Sequence, residues 1–256
     1  TATIARTNLF LHGVEEFRIV KDDTLTRPAF TSGGKLQTFD VVLANPPYSI
    51  KHWNRDLFMN DPYGRNFLGT PPQGRADYAF IQHILKSMDP EKGRCAILLP
   101  HGVLFRDEEQ EIRKKLVDSD LLDCVIGLGP NLFYNASMEA CIMICNSKKP
   151  SHKVGKVLFI DAKKEVERKN AQSRLAPDHI QKILSAYRDY ESIDHFSYVA
   201  TVDEIRSQGC NIAIQMYVTA DESASDRRVD LKSAVLNWEI GSLKTSGCID
   251  ELVKMF

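Results

Sequence analysis

A short polar turn that follows a buried strand carries most of the chemistry in this sequence. Residues 39–44 predict a strand that is almost wholly apolar on both faces, and the run from Asn45 to Tyr48 ends it abruptly. In an open α/β sheet, ligands bind just beyond the carboxyl ends of the strands. The turn therefore lies where a reacting group is expected.

This turn suits the activation of an amine that is conjugated to a ring, whose lone pair is delocalised. Two acceptors near the amine hydrogens, the Asn45 side-chain oxygen and the Pro46 carbonyl oxygen, would favour a pyramidal nitrogen. Pro46 and Pro47 fix φ and remove competing N–H donors, so the turn is preorganised. Tyr48 offers a flat face on which a planar base can stack. We predict that Asn45, Pro46, Pro47 and Tyr48 are catalytic, without a metal or a strong base.

The segment from residue 49 to residue 76 has no clear periodicity and is too long for an ordinary connection in a compact domain. Four of its basic residues, interleaved with aromatic residues, are candidates for contact with DNA: Lys51, Arg55, Arg65 and Arg75. Such a mixture suits phosphate contact and base stacking. The alternative is a solvated loop with a small aromatic cluster.

Two further residues are weaker candidates. Asp23 follows a short predicted strand at residues 17–20 and could accept a hydrogen bond from a ligand amine, although a turn or helix cap is the simpler role. Phe133 lies between two predicted strands and could close the other face of a base pocket, or it could belong to the core. The Gly-Leu-Gly run at 127–129 lacks a third glycine, and we interpret it as a turn.

Predicted strands and helices alternate along the chain, which indicates an α/β domain with a mostly parallel sheet. The strands are predicted at 39–44, 95–99, 124–128, 140–145 and 157–160, and residues 139–160 could form a hairpin. Helices are predicted at 1–12, along a stripe from Tyr78 to Met88, from a capping box at Asp107 and Gln110, at 178–190 with Ile180, Ile183, Leu184 and Tyr187 buried, and at 203–207.

Composition narrows the function classes. The 256 residues are 43% hydrophobic and 26% charged, as in an ordinary globular protein, and no apolar run is long enough to span a membrane. The net charge is −1, so any contact with nucleic acid would use a local basic patch or a partner. Six cysteines without a CxxC pair and scattered histidines predict reduced thiols in the cytoplasm and no metal site.

The ordered motifs resemble the modification subunit of type I restriction–modification systems, an adenine-N6 DNA methyltransferase that uses S-adenosylmethionine. The resemblance covers about residues 3 to 218. Its motifs are ARTNLFLHG at 5–13, DTL at 23–25, FDVVLANPPYS at 39–49, ADYAFIQHIL at 76–85, LPHGVLFR at 99–106, NLFYN at 131–135 and a degraded element at 211–218. The NPPY motif alone is shared with other amino-group methyltransferases, whereas the ordered set is far more specific.

The resemblance implies a role for each matching residue. Asn45, Pro46 and Tyr48 would bind an adenine flipped out of the duplex, Phe133 would stack on it with Tyr48, and Asp23 would join Asn45 in contacting the cofactor. The implied fold is a partial Rossmann-like methyltransferase sheet with flanking helices and a helical C-terminal tail. The implied partners are duplex DNA, a specificity subunit and a restriction subunit, with no membrane.

The family also needs a glycine-rich loop after its first sheet strand, and none precedes Phe39 in this sequence. The resemblance therefore predicts the C-terminal part of a methyltransferase, with an incomplete cofactor site and no activity by itself. In the family's sheet the first two strands lie between the strands at 17–20 and 39–44. We expect the exposed edge of the latter to be covered, or paired with another segment or chain, self-association included.

The predicted organisation is the C-terminal part of a catalytic domain at 1–162, a helical extension of it at 163–219, and a linker with a helical tail at 220–256. Two other functions stay open. An NPPY-type site could methylate a protein glutamine or an RNA base, and the chain could serve as a non-catalytic scaffold for assembly. The absence of a GxGxxG motif argues against a dehydrogenase.

Overall fold

A six-stranded mixed sheet forms the centre of the chain in a computed structural model, which describes residues 2–133, 139–169 and 172–218. These residues belong to one compact unit, numbered 1–219. The strands are β1 Thr31–Ser32, β2 Lys35–Leu36, β3 Val41–Ala44, β4 Arg94–Pro100, β5 Leu122–Leu128, β6 Ala140–Asn146, β7 Lys156–Ala162, β8 Glu167–Lys169, β9 Gln172–Arg174 and β10 Ser197–Thr201. The helices are α1 Ala2–Leu11, α2 Arg55–Met59, α3 Asp77–Lys86, α4 Gln110–Asp118, α5 Pro177–Asp189 and α6 Val202–Ser207.

The central sheet has the strand order β10-β7-β5-β6-β4-β3, and two hairpins, β1–β2 and β8–β9, lie outside it. Strands β3, β4, β5 and β7 run in one direction, whereas β6 and β10 run in the other. Only two of the five neighbouring pairs, β3–β4 and β5–β7, are parallel, so the sheet is mixed and the expectation of a mostly parallel sheet is wrong. The predicted hairpin within 139–160 is wrong, because β5 lies between β6 and β7 and pairs with both.

Helices cover both faces of the sheet, as the alternating pattern predicted. Helix α3 buries Tyr78, Ile81 and Leu85 along one stripe against one face, and α4 adds Ile112 and Leu116 to the same core. Helix α5 packs Ile183 and Ala186 on the other face. These contacts remove the apolar stripes from water, which is the main stabilising contribution to such a fold.

Two local predictions about these helices are wrong. Residues 107–109 form a 3₁₀ turn before α4, and the capping box is not made because the Gln110 side chain donates to the Gly209 carbonyl instead. In α5, Ile180 and Leu184 stay 43% and 39% exposed. The helix contacts the sheet through Ile183 and Ala186, with the partly buried Tyr187 packed beside them, and the remaining positions of the helix face water.

Strand β3 lies at an open edge of the sheet. Its Val41 and Leu43 side chains are 48% and 76% exposed, so the prediction of a buried strand is wrong for these positions. An apolar run is buried only where neighbouring elements cover it, and no described segment pairs with the outer edge of β3. Residues 17–20 form no strand, and a gap of about 590 Å³ separates their segment from β3.

Other sequence predictions agree with the structure. Helix α1 ends before Gly13, whose φ of +73° suits a glycine beyond a helix end, although no residue of α1 is buried. The five cysteines in the described residues are free and buried: Cys95, Cys124, Cys141, Cys145 and Cys210. No helix among the described residues is long and apolar enough to cross a membrane. The predicted linker and tail at 220–256 lie outside the described residues.

Candidate active site

The carboxyl ends of β3, β4, β5 and β7 meet at one edge of the sheet, together with the start of β6. The turn at 45–48 leaves β3 there, and Phe133 follows β5. A cavity of about 440 Å³ lies between them, lined by Asn45, Pro46, Pro47, Tyr48, Phe133, Glu139 and Ala140. The structure thus brings the predicted turn and the predicted stacking residue to one pocket, of a volume usual for small-molecule sites.

The two predicted acceptors of this pocket are free to take a ligand hydrogen. Among the described residues, no hydrogen bond engages the Asn45 side chain or the Pro46 carbonyl oxygen. Asn45 is exposed, and Pro46 is half-buried. An incoming amine would therefore displace water and break no internal hydrogen bond.

The backbone after the turn is held in an unusual conformation. Ser49 has a φ of +50°, in the left-handed region that a side chain with a Cβ seldom adopts. Its backbone N–H donates to Asp77 Oδ1 at 2.8 Å, at the start of α3. Asp77 is buried and also accepts from Arg106 Nη1 at 2.8 Å, so the carboxylate fixes the direction in which Tyr48 and the turn leave β3.

Arg106 connects this carboxylate to a second buried acid. Its Nη1 lies 3.5 Å from Glu109 Oε2, yet neither Glu109 carboxyl oxygen has a hydrogen-bond partner among the described residues. Burial raises the pKa of Glu109 to about 7, and Asp77 adds to the rise, whereas Arg106, Arg113 and Arg75 oppose it. We call Asp77, Arg106 and Glu109 the brace.

Sequence reasoning did not find the brace, although its residues lie in or beside quoted motifs. Asp77 and Arg106 are 29 positions apart, and no local spacing indicates that they meet. Gly102 gives one signal in retrospect, because a Cβ there would collide with the Arg106 guanidinium. A glycine four residues before an arginine, within a helical turn, is consistent with close passage of that side chain.

Tyr48 presents a neutral aromatic wall to the cavity. Burial raises the pKa of its hydroxyl, and the nearby Cys141 and Asp77 raise it further. Its ring therefore carries no charge at neutral pH and suits stacking on a planar base. Tyr134 and Asn135, the rest of the quoted motif around Phe133, lie outside the described residues.

Asp23 lies apart from this cavity. Its Oδ1 accepts hydrogen bonds from the backbone N–H groups of Leu25 and Thr26, at 3.0 and 3.4 Å. That is the turn geometry which the sequence offered as the simpler interpretation. Of the two predicted cofactor contacts, Asn45 lines the cavity at the turn, and Asp23 is not among the residues that line it.

The prediction that Arg65 contacts DNA is wrong. Its side chain is 1% exposed and forms an ion pair with the buried Asp61 at 2.6 Å. It also donates to the carbonyl oxygens of Thr24 and Leu25, at 2.9 and 2.8 Å. Arg65 therefore fastens the long segment to the N-terminal part of the chain, and a buried charge with these partners is not available to a phosphate.

The other three cations of the segment lie nearer the surface. Lys51 is exposed, the Arg55 Nε donates to the Pro71 carbonyl at 2.9 Å, and the Arg75 Nε is 3.9 Å from Glu108 Oε2. Of the aromatic residues, Phe58 is buried in a small third core with Trp53 against it, whereas Phe67 is exposed. Lys51, Arg55 and Arg75 remain candidates for contact with DNA, and the aromatic cluster matches the simpler alternative.

No group of three or more possible metal ligands occurs in the described parts of the chain.

The Glu109→Gln variant should be more stable than the wild type at neutral and alkaline pH, with no difference at acidic pH. The pKa of Glu109 is about 7 in the folded chain, above the ordinary 4.5, so the wild type loses unfolding free energy as pH rises from about 4.5 to about 7, whereas the variant does not. We expect a gain of roughly 2–3 kcal/mol in unfolding free energy at about pH 8 and almost none at about pH 4, from urea unfolding followed by circular dichroism. Glu108→Gln, at the exposed neighbour, is the matched control and should show no such difference. Parallel pH profiles for Glu109→Gln and the wild type would contradict the interpretation.

A family model described as N-6 DNA methylase matches residues 1–226. The chain is 34% identical over 264 residues to the type I restriction enzyme MjaVII methylase subunit of Methanocaldococcus jannaschii, covering 98% of this chain and 44% of that protein. It is 33% identical over 253 residues to the MpnII methylase subunit of Mycoplasma pneumoniae, covering 95% and 45%. The chain thus spans less than half the length of these relatives.

Solved structures are also similar to this chain. The type I restriction-modification methyltransferase subunit from Streptococcus thermophilus superposes with a TM-score of 0.79 at 38% identity, covering 86% of this chain and 46% of that one. The EcoKI M protein, at a TM-score of 0.62 and 15% identity over 86% of this chain and 52% of that one, supports the fold alone. The family model matches most of this chain, and relatives more than 30% identical align with nearly all of it. The chain therefore belongs to the N-6 DNA methylase family.

Proposed function

We propose that this chain supplies the target-base part of the active site of an adenine-N6 DNA methyltransferase, as a subunit of a type I restriction–modification system. The observation that carries the proposal is the pair of acceptors Asn45 Oδ1 and Pro46 O, which no described residue engages, at a cavity that Phe133 also lines. The relatives' description as type I methylase subunits supports the choice of DNA as substrate.

In this proposal the chain's residues bind and orient an adenine that has left the duplex. The exocyclic amine donates one hydrogen to Asn45 and one to Pro46, which directs its lone pair away from the ring and toward a methyl donor. Tyr48 and Phe133 stack on the base and replace part of the stacking lost on extrusion. Pro47 stiffens the turn, and the brace holds it in place through Ser49.

S-adenosylmethionine would supply the methyl group, with Asp23 and Asn45 as its contacts in this chain. Residues 2–44 carry no glycine-rich loop after a strand, and the gap beside β3 is open. We therefore propose that the cofactor site is incomplete in this chain and that the chain is inactive alone. Domain limits at 1–162, 163–219 and 220–256, with the last as linker and tail, are part of the same proposal.

The partners proposed are duplex DNA, a specificity subunit that reads the sequence, and a restriction subunit. A net charge of −1 fits a subunit that gains DNA affinity from others. The cytoplasm is the proposed location, consistent with five buried free thiols. Methylation of protein glutamine or RNA, and a purely structural role in assembly, are the competing functions.

The amine contacts can be tested without the cofactor. A duplex with adenine opposite an abasic site, which lowers the cost of extrusion, should bind more tightly than the same duplex with purine, which lacks the amine. Asn45→Ala should reduce this preference by about 3–10-fold, the value of roughly one hydrogen bond, whereas Tyr48→Ala should weaken both duplexes by about 10-fold or more. Fluorescence anisotropy measures the affinity of each chain for each duplex. Equal affinity of the wild-type chain for adenine and purine would contradict the proposal.

The cofactor prediction is tested by calorimetric titration of S-adenosylmethionine into the folded chain, after circular dichroism has verified folding. We expect no binding, or binding far weaker than the micromolar range typical of enzyme ligands. Clear binding would show that the site is complete, and methyl transfer to DNA, RNA and release-factor protein would then be compared directly.

The open edge of β3 predicts association with another polypeptide strand. We expect concentration-dependent self-association in sedimentation velocity, because unpaired backbone groups beside exposed Val41 and Leu43 form a template for pairing. Leu43→Lys should abolish it, and Val154→Lys, at an exposed valine away from the edge, is the matched control. A wild-type chain that stays monomeric at all concentrations would exclude pairing between copies.

A further inference from the structure

The segment at 163–175 contains β8 and β9, and we call it the β8–β9 hairpin. It contacts the wall of the cavity that Asn45, Tyr48 and Phe133 line, which we call the target-base cavity. Gly129 permits the closest approach, since a Cβ there would lie 2.6 Å from Val166 Cγ1 and 2.7 Å from the Lys163 carbonyl oxygen. The Ser173 N–H donates to the Asn131 carbonyl at 2.8 Å, two residues before Phe133. Gly129 is therefore needed for close packing and is not the turn glycine that the sequence suggested.

Two further contacts join the same segment to the cavity. Lys163 forms an ion pair at 2.8 Å with Glu139, which lines the cavity opposite the turn. Leu175 lines an adjoining apolar cavity of about 510 Å³ together with Phe133. On its other side the segment is tied to α5 through the ion pair of Glu165 with Lys182. These contacts hold residues 163–166 and 173–175 against the wall of the cavity.

The hairpin concentrates positive charge in a chain that otherwise has a negative balance. Residues 163–174 contain five basic and two acidic side chains, against a net charge of −1 for all 256 residues. Arg174 is committed to Glu167, through bonds of 2.9 and 2.6 Å, and Lys163 to Glu139. Lys164 and Arg168 are exposed and have no ion pair among the described residues, so their charges remain available to a partner.

We propose that the β8–β9 hairpin is a docking surface for the phosphate backbone of duplex DNA, with Lys164 and Arg168 contacting phosphates beside the extruded adenine. This inference rests on the proposed function, because it takes the neighbouring cavity as the one that receives the base. Phosphate contacts fix the register of a protein on the duplex without reading sequence. A cationic hairpin anchored to the stacking wall would hold the strand next to the point where the base leaves it.

The test is salt-dependent binding of the full chain to the short duplex with adenine opposite an abasic site. Each phosphate contact contributes about 0.9 to the slope of log K against log salt. The double variant Lys164→Gln with Arg168→Gln should bind about 3–10-fold more weakly at low salt, with a slope smaller by about 2. The matched control is the double variant Lys92→Gln with Lys148→Gln, at two exposed lysines just before β4 and just after β6, away from the cavity. It should keep the wild-type slope.

An unchanged slope in the Lys164 and Arg168 double variant would overturn the proposal, as would an equal loss in the control, which would indicate only an effect of net charge. Equal affinity and slope for single-stranded RNA of the same length would overturn the choice of duplex DNA. The adenine-to-purine preference separates this proposal from the function itself. If the wild type prefers adenine to purine but the double variant keeps the wild-type slope, the hairpin proposal is wrong and the adenine site stands. If the wild type shows no preference but the slope falls in the double variant, the adenine site is wrong and the hairpin proposal stands.

Discussion

The hydrogen bond from the Ser49 backbone N–H to the Asp77 carboxylate is the interaction on which the geometry of the target-base cavity depends. It holds a residue with positive φ immediately after Tyr48, a conformation that costs free energy and persists only when its surroundings fix it. Arg106 donates to the other oxygen of this carboxylate at 2.8 Å and so fixes its orientation toward Ser49. The strain and the buried charge thus lie just behind the residues proposed to bind the base, and the rest of α3 and α4 encloses them.

The part of this architecture that the sequence predicted follows from local patterns. The apolar stripes of α3 and α4, the strands β4 to β7 and the turn at 45–48 each depend on residues close together in the chain, so periodicity and turn chemistry were sufficient. Phe133 was placed at the cavity by the same rule, because it follows a strand whose carboxyl end lies at the ligand edge.

The errors have a common physical origin in contacts between distant residues. Arg65 is of a residue type that often binds phosphate, but its guanidinium is bound by Asp61 and by the carbonyl oxygens of Thr24 and Leu25. Val41 and Leu43 have the composition of a buried strand, but burial depends on neighbours that no described segment provides. Whether a charge or an apolar side chain is covered is decided by tertiary contacts, and a single sequence without them gives only the residue's preference.

The cavity of the turn and the adjoining apolar cavity share two walls, Asn45 and Phe133. Any molecule that fills the apolar cavity contacts the same amide and the same ring that face the base. If one occupant moves either side chain, it changes the affinity of the other cavity, and the second occupant changes the affinity of the first by the same factor. One side-chain amide and one aromatic ring would thus couple the affinities of the two cavities.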